Sequence, residues 1–211
     1  MMDKAVKIDR FMKATEAIFN AGVPLMHRLV PQEKPSEIWA HYPPGDTTNG
    51  EAQSRYFYHC HPPGQREEGE HGHFHLFLGK SAMPVEAKPW LSPPPINLTK
   101  KRANVVHVAA LSIDTNGLPM MWFNVNRWVT DEWMYSAEDV IAQLDRFDMV
   151  GEQGDALVNE WVTAIVHLCK EEIVSLLYER DAVLAAQDPS GQDHAIEVTG
   201  SRKIDLAALV D

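Results

Sequence analysis

The sequence predicts an α+β fold, in which an antiparallel sheet of about four to five strands is packed by an N-terminal helix and C-terminal helices. Three observations predict this class. Residues 4–20 place apolar side chains at helical spacing, residues 55–129 contain strand-like segments, and residues 155–187 carry one long apolar stripe. The 211 residues, 45% of them hydrophobic, suffice for the core of one domain at residues 1–187, followed by a polar, partly disordered tail at 188–211.

The first helix is predicted from Lys4 to Asn20 and ends before Gly22 and Pro24, which are typical of a helix stop. The stretch "PPGDTTNGEAQ" that follows has the composition of a loop. Two strands are predicted next, Arg55 to His61 and His71 to Leu78, joined by a loop rich in proline and glycine.

A second hairpin is predicted around Asn116-Gly117, the dipeptide favoured in two-residue type I′ turns. It joins a buried strand, Val105 to Ile113, to a returning strand, Met120 to Val129. In this register His107 lies opposite Asn126.

The C-terminal helices are predicted from their start signals and periodicity. Ser136 and Asp139 form a capping-box pattern that opens a helix from Ala137 to Phe147. A long helix from Asp155 to about Gln187 should lie across the sheet, and only residues 204–210 of the tail are expected to form a further short element.

Charge and composition narrow the classes of partner. A formal net charge of −11 disfavours binding to nucleic acid or to an anionic membrane, so a small-molecule ligand is expected.

No segment approaches the ~20 apolar residues of a membrane helix, and the N-terminus lacks a signal-peptide core. Two cysteines far apart in sequence fit a reducing compartment, so a cytoplasmic location is expected.

Five of the ten histidines fall within seventeen residues, in the segments "YHCH" and "EHGHFH". An HxH pair on a strand directs both imidazoles to one face, and imidazole is a common ligand of zinc, iron and nickel. If His61 faces His71 across the hairpin, His59 faces His73, and all four rings share one face. The sequence therefore predicts a divalent-metal site that draws its ligands from the five histidines: His59, His61, His71, His73 and His75.

Other polar residues are candidates for roles around this ion. Antiparallel sheets build catalytic zinc sites from three histidines and leave one coordination position for water, and Glu70 is the candidate base. Arg55 shares the histidine face and, with Asn126 and Arg127, is a candidate for binding substrate, although Arg127 equally fits a strand-end ion pair. Alternation turns Cys60 away from the site and into the core.

The same histidines admit other functions. His71-Gly72-His73-Phe74-His75-Leu76-Phe77 resembles the signature of histidine-triad nucleotide hydrolases and transferases, and this resemblance implies a metal-free reaction with His73 as nucleophile on a phosphate. Gly72 stands where that signature has an apolar residue. A third hypothesis is a ligand-binding module without catalysis.

Four segments together carry a wider resemblance. "HYPPGD", "RYFYHCHPPG", "EHGHFHLFL" and "NRWVTDEW" are similar to an uncharacterised bacterial family defined as a domain of unknown function. That resemblance covers most of the predicted domain and implies no particular reaction.

Overall fold

A computed structural model describes residues 3–30, 39–62, 64–65, 67–93 and 104–210. Its centre is one six-stranded antiparallel sheet, and the strands lie side by side in the order in which they occur along the chain. The strands are β1 Tyr42–Asn49, β2 Ser54–His59, β3 Glu70–Gly79, β4 Val105–Asp114, β5 Pro119–Val125 and β6 Val198–Lys203.

Two helices precede the sheet, four lie between β5 and β6, and one follows β6, and this combination of helices with one antiparallel sheet confirms the α+β class. The helices are α1 Lys4–Asn20, α2 Leu25–Leu29, α3 Arg127–Thr130, α4 Ala137–Ile141, α5 Ala156–Leu168, α6 Lys170–Gln187 and α7 Leu206–Val210, with short 3-10 turns at Lys80–Ala82 and Leu144–Arg146. Within the described ranges, no helix has both the length and the apolar composition needed to cross a membrane.

The two faces of the sheet have different roles. On one face, Tyr56 and Phe74 pack under α5, where the Tyr56 hydroxyl donates to Asn159 Oδ1 at 2.9 Å and the Phe74 ring lies 6.5 Å from that of Trp161. Helix α1 covers α5 in turn, and Phe11 contacts Trp161. Because the main core lies on this helical side, the alternate residues of β2 and β3 are left to form the opposite face.

Several boundaries differ from the sequence predictions. Strand β1 runs through the predicted loop, and a register shift between Tyr42 and Thr47 accommodates the two prolines at this edge of the sheet. The predicted long helix is divided at Cys169, whose backbone leaves the helical region (φ −91°, ψ 26°). The predicted tail supplies β6, which pairs with β5, so the sheet has six strands rather than four or five.

Candidate metal site

The hairpin of β2 and β3 brings three buried histidines together. His59 pairs with His73 across the hairpin, as the sequence predicted, and His75 follows two residues later on the same face. One nitrogen from each of these rings lies within 4.8 Å of the other two, a grouping that could hold a metal ion. His61 lies beside them, with its Nε2 3.3 Å from Nε2 of His59.

Two of the three nitrogens lie closer together than the ligands of a tetrahedral site. Metal–nitrogen bonds of 2.0–2.1 Å place two ligands of a tetrahedron about 3.3 Å apart. The Nε2 atoms of His59 and His73 are 2.7 Å apart, so a bound ion would separate them by about 0.6 Å. Side-chain adjustment of that size leaves the strand pairing intact.

His71 does not share this face. The pairing of β3 with β4 shifts between Glu70 and Gly72, so His71 is the extra residue of a bulge. Its Nδ1 lies 2.7 Å from the hydroxyl oxygen of Tyr58, on the core side of the sheet. The strict alternation assumed from the sequence is therefore wrong at His71, and the same bulge turns Glu70 toward the histidines.

Glu70 fixes the orientation of His73. One carboxylate oxygen lies 2.7 Å from His73 Nδ1, and the other accepts a hydrogen bond from the Ser112 hydroxyl at 3.1 Å. Since a carboxylate accepts, His73 donates from Nδ1 to Glu70, and its Nε2 is the nitrogen that faces His59. Burial raises the pKa of Glu70, but His73 and Ser112 lower it more, so the pKa is below its ordinary value.

A second chain of hydrogen bonds orients His75. The Asn124 amide nitrogen donates to the Val108 carbonyl at 3.3 Å, so its oxygen faces His107 Nδ1 at 3.1 Å and accepts from it. His107 Nε2 is then an acceptor, and His75 Nδ1 donates to it at 3.1 Å. This order leaves the lone pair of His75 on Nε2, the nitrogen available to an ion.

Burial keeps His59, His75 and His107 neutral. Loss of hydration lowers the pKa of His59 to about 2, with further lowering by His73, His61 and His41. The same cause lowers the pKa of His75 well below its ordinary value and that of His107 to about 3. A neutral imidazole is the form that binds metals, so His59 and His75 would need to lose no proton on binding an ion.

The histidines form the floor of a cavity of about 440 Å³. Its walls are mainly apolar, with Phe57 and Phe77 from the hairpin and Phe123 from β5. The Phe123 ring meets the His73 ring edge-on, with 5.1 Å between centroids. This volume lies within the range of pockets that bind small molecules in other proteins.

One wall of the cavity contains two residues that sequence reasoning missed. His41 Nδ1 lies 3.1 Å from Asp46, and the other carboxylate oxygen of Asp46 forms an ion pair with Arg55 at 2.8 Å. The His41 ring stacks on Phe57 at 3.6 Å. The irregular part of β1 brings Asp46 inward, and the segment "HYPPGD", which begins at His41 and ends at Asp46, was the available signal.

The other predicted substrate-binding residues have internal partners. Asn126 caps α3 and donates to Asp188 and to the Ile196 carbonyl. Arg127 is only 1% exposed and donates to the Gly191 carbonyl. Arg55 lines the cavity, whereas the described part of that lining includes neither Asn126 nor Arg127. Cys60 is buried in the main core, as expected.

Comparison with known proteins gives a family. The model of DUF6969, a domain of unknown function, matches residues 5–204, so the chain belongs to that family. Neither curated proteins nor solved structures give a match to the chain.

Proposed function

We propose that this protein binds one divalent transition-metal ion through His59, His73 and His75 and uses it in a reaction on a small molecule held in the cavity. The observation that carries the proposal is the convergence of three buried imidazoles, with one nitrogen from each within 4.8 Å of the others, at the cavity floor. An isolated buried histidine has no such neighbours, whereas here hydrogen bonds to Glu70 and His107 direct Nε2 of His73 and of His75 toward the shared site.

The donor set limits the ion. Neutral nitrogen ligands suit zinc, iron and nickel, whereas magnesium and calcium prefer oxygen. Three neutral ligands leave the full charge of the ion in place, and such an ion lowers the pKa of a bound water and polarises oxygen atoms of a substrate. His61 lies next to the three histidines and determines whether the ion could react. With His61 as a fourth ligand the coordination shell would be complete, whereas without it one position would stay open for water or substrate.

Glu70 serves in this proposal as an orienting residue rather than as the base expected from the sequence. Both of its oxygens have partners, His73 and Ser112, and neither partner is a reacting group. A carboxylate in this position holds the imidazole and raises its basicity as a ligand.

The experiment is elemental analysis of tag-free protein, beside a variant in which His73 and His75 are both changed to glutamine. We expect about one equivalent of metal in the parent and less than a tenth of that in the variant. His27→Gln is the control, because His27 is an exposed residue of α2. A folded parent that takes up no zinc, iron or nickel on titration would refute the proposal, and turnover of a nucleotide in the presence of a chelator would favour the histidine-triad reaction.

A further inference from the structure

Aromatic side chains line the cavity beside the histidines. Phe57 and Phe77 stack with 5.6 Å between centroids and an interplanar angle of 29°, so they present one continuous aromatic surface beside His75. Phe123 faces this site from β5, and Trp39, 55% exposed, lies at His61 with 4.3 Å between ring centroids. A flat apolar group would contact aromatic rings on several sides.

The charges around the cavity limit the polar part of the ligand. Among the described lining residues, Arg55 carries the one permanent positive charge, and it is paired with Asp46. The other charged side chains of that lining, Asp131 and Glu197, are acids. A phosphate monoester, with about two negative charges, therefore meets carboxylates on these walls and lacks the unpaired arginines that usually bind it.

We propose that the ligand is a small aromatic molecule with one oxygen-based, singly charged group that binds the ion, such as a carboxylate, phenolate or hydroxamate. This inference rests on the metal site proposed above, since the ion supplies the positive charge that the anionic group requires. The volume of about 440 Å³ suits a molecule of one or two rings. The ring occupies the space between Phe57, Phe77 and Phe123, and the oxygen group points to the histidine floor.

The test compares three probes on zinc-loaded protein by calorimetry, after the metal content has been measured. Benzohydroxamate and acetohydroxamate share the chelating group and differ in the phenyl ring, and phenyl phosphate keeps the ring but changes the anion. We expect benzohydroxamate to bind at least tenfold more tightly than acetohydroxamate, and phenyl phosphate to bind more weakly than benzohydroxamate. Tenfold corresponds to ~1.4 kcal/mol, or about 55 Å² of apolar surface, which is less than a phenyl ring offers.

A pair of variants tests whether the aromatic wall causes the preference for benzohydroxamate over acetohydroxamate. Phe77→Leu should reduce the ratio of the two hydroxamate affinities at least threefold, whereas Phe19→Leu, a change at an exposed residue of α1, should leave it unchanged. Failure to load metal would refute the proposed function itself. Loaded protein that binds both hydroxamates within threefold of each other, that prefers phenyl phosphate, or whose ratio is insensitive to Phe77→Leu would overturn the aromatic assignment and leave the metal site standing.

Discussion

Replacement of Glu70 by glutamine tests whether the hydrogen bond to His73 serves an ion. Glu70 Oε1 is 2.7 Å from His73 Nδ1, and Oε2 accepts from Ser112, so glutamine can keep both contacts while losing the negative charge. Loss of an orienting carboxylate typically weakens metal binding 10–100-fold. That range corresponds to ~1.4–2.7 kcal/mol of binding free energy.

The assay is competition for zinc between the protein and a chromophoric chelator, at a pH and ionic strength held constant. We expect the zinc dissociation constant of Glu70→Gln to rise by 10–100-fold, with the unfolding transition still cooperative. Glu68→Gln is the matched control, because Glu68 is an exposed residue of the loop that precedes β3 and should leave the constant unchanged. Equal zinc affinity in the parent and in Glu70→Gln would show that the carboxylate does not orient a ligand, and the reasoning from hydrogen-bond geometry would fail.

Three further predictions follow from the same neighbourhood. His71→Phe should keep the metal stoichiometry of the parent. It should lose about 1 kcal/mol of unfolding free energy, because the hydrogen bond between His71 and Tyr58 on the core side is lost. A reduced metal content would show that His71 is a ligand. Gly72→Ala should destabilise the protein by about 1–3 kcal/mol and weaken metal binding, because a Cβ at this position would lie 2.5 Å from Tyr58 Oη. An unchanged midpoint of urea unfolding would contradict this close approach. Burial raises the pKa of Glu132 from 4.5 to about 7, although Arg180 opposes the shift. The folded state therefore holds this proton more tightly, and stability declines as pH rises from 4.5 through 7. Glu132→Gln should remove up to ~3 kcal/mol of that decline in urea unfolding at pH 4.5 and 8, and parallel pH profiles would refute the assignment.

The pairing of the strands was predictable because each hairpin carries its register in its own sequence. Asn116-Gly117 marks the second hairpin, but the predicted two-residue turn is wrong, because Asp114 rather than Thr115 pairs with Leu118. A register shift between Ser112 and Ile113 then brings the strands into the predicted register, in which Ala110 pairs with Phe123. The alternation of apolar and polar residues in "YFYHCH" and "HFHLFL" places His59 opposite His73. A one-residue slip would have exposed Phe74 and buried the histidines in the core, so burial itself selects this register.

The bulge in β3 places Glu70 rather than His71 on the face of the sheet that carries the other histidines. It could not be predicted, because no local sequence pattern distinguishes it from a regular strand. It depends on where β4 ends its pairing with β3, a contact between residues more than forty positions apart. The inward position of Asp46 has the same origin, since the irregular β1 is defined only against β2. Strand β6 was missed because an edge strand with a solvated face has no apolar alternation to reveal it.

The two strands of the histidine hairpin would contribute ligands of different kinds to the proposed metal site. On β3, His73 is held by Glu70 and His75 by His107, so the direction of each lone pair is fixed before an ion arrives. On β2, His59 lies at the strand end and its Nε2 is closer to His73 than two ligands of one ion can be. The separation of about 0.6 Å that metal binding requires must therefore come mainly from His59, while β3 keeps its geometry. The hairpin thus combines a preorganised half, which lowers the entropic cost of binding, with an adjustable half that can match the radius of the ion.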